Sequence, residues 1–226
     1  MFRSKVLSLG LLLAVLLLAM TFGTVRASVI EFSTGLLSHI SSKWGDSAVE
    51  RLENWRETEL QEKAQLRHSA VSLSKEQLQV FNQFWNRVPY YSDLKHWGVE
   101  DYWATPIETL ASNGADCEDY SIAKYFSLKE LGVPAENLRI TYVRALRKNE
   151  AHMVLAYYPS PGADPYILDN LTGNLETASE RDDLVPVYSF NDDDLWAVGA
   201  AAFRGKSRQI RLWGELLDKM DKEQLM

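Results

Sequence analysis

Residues 114–120 read GADCEDY, and this stretch holds the only cysteine of the 226-residue chain, Cys117, between Asp116, Glu118 and Asp119. Asp116 is a good helix N-cap and Asp119 then falls at the third helical position, where acids complement the helix dipole. Ile122, Tyr125, Phe126 and Leu128 supply a buried side, and Gly132-Val133-Pro134 is a stop signal. The stretch therefore predicts a helix from Cys117 to Leu131 with the cysteine in its first turn. The acids pose a problem, because nearby negative charge opposes ionisation of a thiol.

Upstream, residues 46–66 are charged and free of proline, with Val49, Leu52, Trp55 and Leu60 forming a helical stripe. Ser74-Lys75-Glu76-Gln77 resembles a capping box, and Leu78, Phe81, Phe84, Trp85 and Val88 follow at helical spacing until Pro89. Residues 90–106 read as a Tyr- and Trp-rich loop. Downstream, residues 138–146, 152–158 and 166–169 are strand-like, the last ending at the turn composition Asn170-Leu171-Thr172-Gly173. The Asn-Asp-Asp-Asp run at 191–194 reads as a solvated loop or cap, and it lacks the glycine and closing glutamate of an EF-hand loop. A helical half followed by short strands predicts an α+β domain.

The first 27 residues place a short basic start, Arg3 and Lys5, before an apolar run from Val6 to Met20 and a Val-Arg-Ala cleavage pattern. That is the composition of a secretory signal, with removal expected after Ala27. Residues 28–226 are then expected to form one domain, mainly helical over 28–88, with no stable membrane insertion once the leader is gone. Residues 1–27 carry three basic groups and no acid, so their removal takes the net charge from −7 to −10. An acidic chain of this kind argues against nucleic-acid binding. A single cysteine forms no internal disulfide, so an exported chain with one thiol carries either a small buried hydrophobe or a reactive group.

Position favours the reactive reading. A helix N-terminus lowers a thiol pKa, and its free N–H groups can hold an oxyanion. Of the four histidines, His39 and His68 lie in polar helical stretches and His96 in the aromatic loop. His152 opens a strand 35 residues after Cys117, and Asp169 ends the next strand 17 residues further on. Antiparallel neighbours would bring the carboxylate to the imidazole, fixing its tautomer. Taken singly, His152 also fits a satisfied strand-end histidine and Asp169 an Asx-turn residue. Tyr102 and Trp103, in the run DYWATP, are candidates for the wall of a substrate groove; packing in the core is the plain alternative.

The run DYWATPIETLASNGADCEDYSIAKYFSL, followed by AHMVLAYY and YILDN, resembles the bacterial transglutaminase-like cysteine proteinases. The resemblance spans roughly Ser74 to Trp196. It implies a papain-like fold of transglutaminase order, with Cys117 as nucleophile, His152 as general base and Asp169 as third member. It further implies a calcium ion beside the nucleophile, with Asp116, Glu118 and Asp119 matching its ligands, and a periplasmic location. The implied protein substrate is a large repeat-containing adhesin cut near its N-terminus. The implied partner is the periplasmic domain of an inner-membrane LapD-type cyclic di-GMP receptor. A transglutaminase or amidase would use the same triad, and a calcium-dependent binding module would need no working triad.

Overall fold

The computed structural model describes residues 30–66, 73–197 and 204–226. The expected leader and His68 lie outside these residues. Three helices form the N-terminal part: α1 (Thr34–Trp44), α2 (Asp46–Leu66) and α3 (Lys75–Asn86). Two short helices, α4 (Asp93–His96) and α5 (Pro106–Ser112), interrupt the stretch read as a loop. Then come α6 (Cys117–Glu130), β1 (Leu138–Ala145), β2 (Glu150–Tyr157), β3 (Tyr166–Leu168) and β4 (Glu176–Thr177). The order closes with β5 (Leu184–Phe190), β6 (Asp194–Ala197), β7 (Arg204–Lys206) and α7 (Arg211–Gln224). Among the described residues no helix is long and apolar enough to cross a membrane.

The strands form one antiparallel sheet in the order β4-β3-β2-β1-β5-β6-β7. α6 is sandwiched between this sheet and the helical layer. Ile122, Tyr125 and Leu128 join the sheet-side core with Ile140, Leu155, Phe190 and Trp213. Tyr120 and Ala123 join the helical core with Leu52, Trp55 and Trp85. The polar side chain that α6 sends toward the helices is satisfied there: Ser127 Oγ accepts from the indole N–H groups of Trp55 at 2.8 Å and Trp85 at 2.9 Å. Burial on two faces explains why no single amphipathic stripe marks this helix.

The remaining elements close the core around it. α7 inserts Trp213 and Leu216. The run 191–194 is split between a turn and the start of β6: Asn191 Oδ1 accepts from the amides of Asp193 and Asp194, both at 3.0 Å.

Candidate active site and adjoining acidic pocket

Asp116 is the N-cap of α6 in extended conformation, so Cys117 stands at the helix tip. α6 packs on β2, which brings the Met153 backbone close enough to the Cys117 thiol to favour its anion, against the larger opposing effects of burial and the acids. His152, the neighbour of Met153 in β2, pairs with Val143 of β1 and is 3% exposed. Antiparallel pairing of Leu155 with Leu168 carries Asp169 alongside β2. Asp169 Oδ1 lies 2.7 Å from His152 Nε2. An ionised carboxylate only accepts, so Nε2 carries the proton and Nδ1 is the basic nitrogen. The same Oδ1 accepts from the Leu171 amide at 3.0 Å, so Asp169 is both a histidine partner and an Asx-turn residue. Its backbone carbonyl accepts from Asn86 Nδ2 at 2.7 Å. Burial would raise the Asp169 pKa, but His152, the Leu171 amide and the Arg181 guanidinium outweigh it and hold the group at about 2.

Cys117 and His152 line one cleft of about 770 Å³, with Tyr90, Glu150 and Asn170 on its walls. The other described histidines do not reach it. His39 is exposed, and His96 bonds Ser112 Oγ at 2.9 Å while stacking on Tyr91. Tyr102 and Trp103 are not on this cleft either. Trp103 is buried and stacks on Phe190, while Tyr102 donates to Glu108 at 2.6 Å under the Lys219 ammonium. The pair therefore lies off the Cys117 cleft, on a segment pinned inward, and Trp103 takes the core-packing alternative. Lys219 of α7 donates to the Trp103 carbonyl, and Thr105 of the same segment donates to Glu223 of α7, each at 2.6 Å.

The thiol faces its acids directly. Cys117 Sγ donates to Glu118 Oε2 at 3.0 Å. Burial, the Glu118 carboxylate and Asp116 together push the thiol pKa up. Asp116, Glu118 and Asp119 do not stand alone, because Asp93 and Asp101 close on them. Asp93, Asp116 and Asp119 form one trio with carboxylate oxygens within 4.8 Å of one another, and Asp93, Asp101 and Glu118 form another. Only backbone amides support the buried members: Tyr102 donates to Asp93 at 2.6 Å and Ala104 to Asp119 at 2.7 Å. Asp116 Oδ1 is buried with no hydrogen-bond donor. Burial and mutual repulsion raise the pKa of Asp116 and Asp119, and burial lifts Asp93 to about 6 despite the Tyr102 amide.

Asp93 and Asp101 were not selected from the sequence. Their carrier is tied to the Cys117 stretch by backbone bonds: Tyr91 N donates to Ala115 O at 2.9 Å and Ala115 N to Pro89 O at 3.1 Å. Gly114 completes the approach, since a Cβ there would lie 2.4 Å from the His96 ring. A glycine three residues before the cysteine and an aspartate just after Pro89-Tyr90-Tyr91-Ser92 were the available signals, and only the fold joins them.

The family described as bacterial transglutaminase-like cysteine proteinase matches residues 52–197. This chain belongs to the bacterial transglutaminase-like cysteine proteinases. It is similar to solved structures of LapG from Legionella pneumophila. The calcium-bound structure is 38% identical at a TM-score of 0.67, covering 82% of this chain and 97% of that one. The EGTA-treated structure is 36% identical at a TM-score of 0.71, covering 85% of this chain and 100% of that one. No curated protein sequence matches the chain. The α+β fold is thus that of a transglutaminase-like cysteine proteinase, and the cleft is the candidate active site of a LapG-like member.

Proposed function

We propose that the protein is a calcium-dependent periplasmic cysteine endopeptidase that cuts the N-terminal region of a large cell-surface adhesin. Its action releases cells from biofilm, and a LapD-type cyclic di-GMP receptor holds it inactive. The observation that carries the chemistry is the single thiol at a helix tip, sharing a cleft with an imidazole whose Nε2 is bound to a buried carboxylate. Family membership and the LapG similarity support a LapG-like cysteine proteinase acting on a protein substrate.

In this reading His152 Nδ1 takes the Cys117 proton and the thiolate attacks a peptide carbonyl. The Cys117 amide at the helix start is the oxyanion donor the chain itself offers. The His152 imidazolium then protonates the leaving amine, a thioester remains on Cys117, and water attacks it with His152 as base. Asp169 keeps the proton on Nε2 throughout and balances the imidazolium charge.

The acidic pocket fits a hard dication. It offers five carboxylates of mixed exposure, one buried oxygen without a donor, and no Lys or Arg ion-paired to any of them among the described residues. Asp116, Glu118 and Asp119 would hold calcium, joined by Asp93 and Asp101. Bound there, the ion supplies positive charge that offsets the acids' effect on the thiol. The calcium-bound and EGTA-treated LapG structures support this choice of metal.

The test mixes purified protein with a recombinant adhesin N-terminal fragment, in calcium or in excess EGTA. Cleavage in calcium only, abolished by Cys117→Ala with circular dichroism unchanged, is the expected result. Cleavage by Cys117→Ala, or full cleavage in EGTA, would overturn the proposal. Incorporation of a labelled amine without backbone cleavage would reassign the site to acyl transfer.

A further inference from the structure

A carboxylate bound through one oxygen can still swing about its Cβ–Cγ bond. In Asp169 both oxygens are committed. Oδ1 serves His152 and the Leu171 amide, while Oδ2 accepts from Arg181 Nη2 at 2.7 Å. Arg181 is 5% exposed. Its other contacts are anionic: Nε and Nη2 reach the two oxygens of Asp183 at 2.8 and 3.1 Å, and Nε lies 3.7 Å from Glu176. The guanidinium is a planar fork, so the Asp183 pairing sets the plane in which Nη2 meets Asp169.

The turn that presents Arg181 is itself anchored. Asp164 accepts from the Ser179 amide at 3.2 Å and from its hydroxyl at 2.6 Å. The Arg181 and Asp183 carbonyls accept from the Leu184 amide at 3.1 Å and the Leu146 amide at 2.8 Å. Lys124 is the other buried cation whose charge Asp169 feels, but its Nζ has no hydrogen-bond partner. It therefore does not hold the carboxylate in this arrangement, and it is a donor toward which a freed carboxylate could turn.

We infer that Arg181, clamped by Asp183, is a positioning residue that fixes the Asp169 carboxylate and through it the His152 tautomer presented to Cys117. This rests on the proposed roles of Cys117, His152 and Asp169. A buried ion pair is weak evidence for stability, since desolvation offsets much of its Coulomb energy. Here the geometry gives it another use. With Arg181 gone, Oδ2 is left buried without its donor. The carboxylate then turns toward other donors, and the proton is free to occupy Nδ1, where it disables the base.

The test uses calcium-loaded protein and two readouts that need no substrate. One is the ¹⁵N shift pair of the His152 ring, which reports the tautomer. The other is the rate of iodoacetamide alkylation at Cys117, the only thiol in the chain. For folded Arg181→Gln the Nε2–H signature should give way to a tautomer mixture, with alkylation slowed roughly tenfold. Arg181→Lys keeps the charge but loses the fork, and falls between. Arg181→Gln with wild-type shifts and rate would overturn the inference. If that variant does not fold, Asp183→Asn decides: a partial tautomer mixture and about twofold slower alkylation support the inference, and wild-type behaviour overturns it. His152→Gln separates the premises. Unchanged alkylation in His152→Gln removes the catalytic reading itself. A slow His152→Gln beside a wild-type Arg181→Gln removes only the role of Arg181.

Discussion

Two groups of carboxylates flank the Cys117 cleft, and they are built on opposite principles. Asp169 is buried with a partner for each oxygen, two of them cationic or able to become so, and its pKa is held down at about 2. Asp93, Asp116 and Asp119 are buried with one another, and their pKa values are driven up. The chain thus pays the desolvation of one carboxylate internally and leaves the others short of positive charge. The first corner is compensated as folded. The second keeps its negative charge uncompensated, which is what the proposed calcium site calls for.

The largest effect that tests this contrast comes from the compensated corner. Asp169→Asn keeps the shape but offers an amide in place of an anion. The amide neither balances the His152 imidazolium nor enforces Nε2–H. Turnover on an adhesin fragment should fall by about 10²- to 10⁴-fold with KM little changed. Calcium should raise the thermal midpoint of the variant as much as that of the parent. A variant that lost its calcium response instead would show that the two corners are not independent.

The uncompensated corner should respond in the converse way. At a hundredfold excess over its dissociation constant, a ligand adds about 2.7 kcal/mol of stability. Asp116→Asn removes a buried charge from the pocket, so the calcium-dependent rise in thermal midpoint should be lost or much reduced. In EGTA the variant should be at least as stable as the parent, because a carboxyl whose pKa is raised in the fold no longer favours unfolding. A variant less stable than the parent in EGTA, yet still stabilised by calcium, would make Asp116 a capping residue alone.

Acid and base should also divide the two. A carboxyl group whose folded pKa is raised stays protonated while the unfolded chain ionises, so it favours unfolding as pH rises through that window. For Asp93 the window runs from 3.8 to about 6, and Asp116 and Asp119 extend it upward. Asp169 has the opposite sign: its contribution is present above 3.8 and is lost as pH falls through about 2. In EGTA the thermal midpoint should therefore decline from about pH 4.5 to about pH 8, and calcium should flatten that decline. A midpoint in EGTA that rises over this range would contradict the assignment of the pocket as uncompensated.

Some of this was legible in the sequence, for local reasons. The helix at Cys117 announces itself through an N-cap, a third-position acid and a Gly-Val-Pro stop, all within the segment. β1 is rich in β-branched and aromatic residues, and β2 and β3 are short apolar runs free of breakers. α7 has an apolar stripe of its own in Leu212, Trp213, Leu216 and Met220, but nothing chemical drew the eye to it. Asp93, Asp101 and Arg181 were beyond a local reading. Each is an ordinary charged residue in a polar or turn-rich run, and each gains its role from a partner distant in the chain. Trp103 misled for the converse reason, since the contact that buries it, with Phe190, lies on β5.

The smallest predicted effect concerns how the uncompensated corner is assembled rather than what it holds. Gly114 lies against the His96 ring so closely that a Cβ would meet it at 2.4–2.8 Å. His96 ends the helix that begins at Asp93, and its ring is held by Ser112 and by the stack on Tyr91. The ring is thus fixed from two other sides, and Gly114→Ala has to push it and α4 outward. Overpacking of this kind costs about 1–3 kcal/mol. The displaced element carries Asp93, whose side chain belongs to both acidic trios, whereas the His152–Asp169–Arg181 corner is built on β2, β3 and the turn before β5. Gly114→Ala should therefore weaken calcium binding in isothermal titration while leaving the His152 ring ¹⁵N shifts unchanged. If the shifts move and calcium binding does not, the two corners share a support that their hydrogen bonds do not reveal.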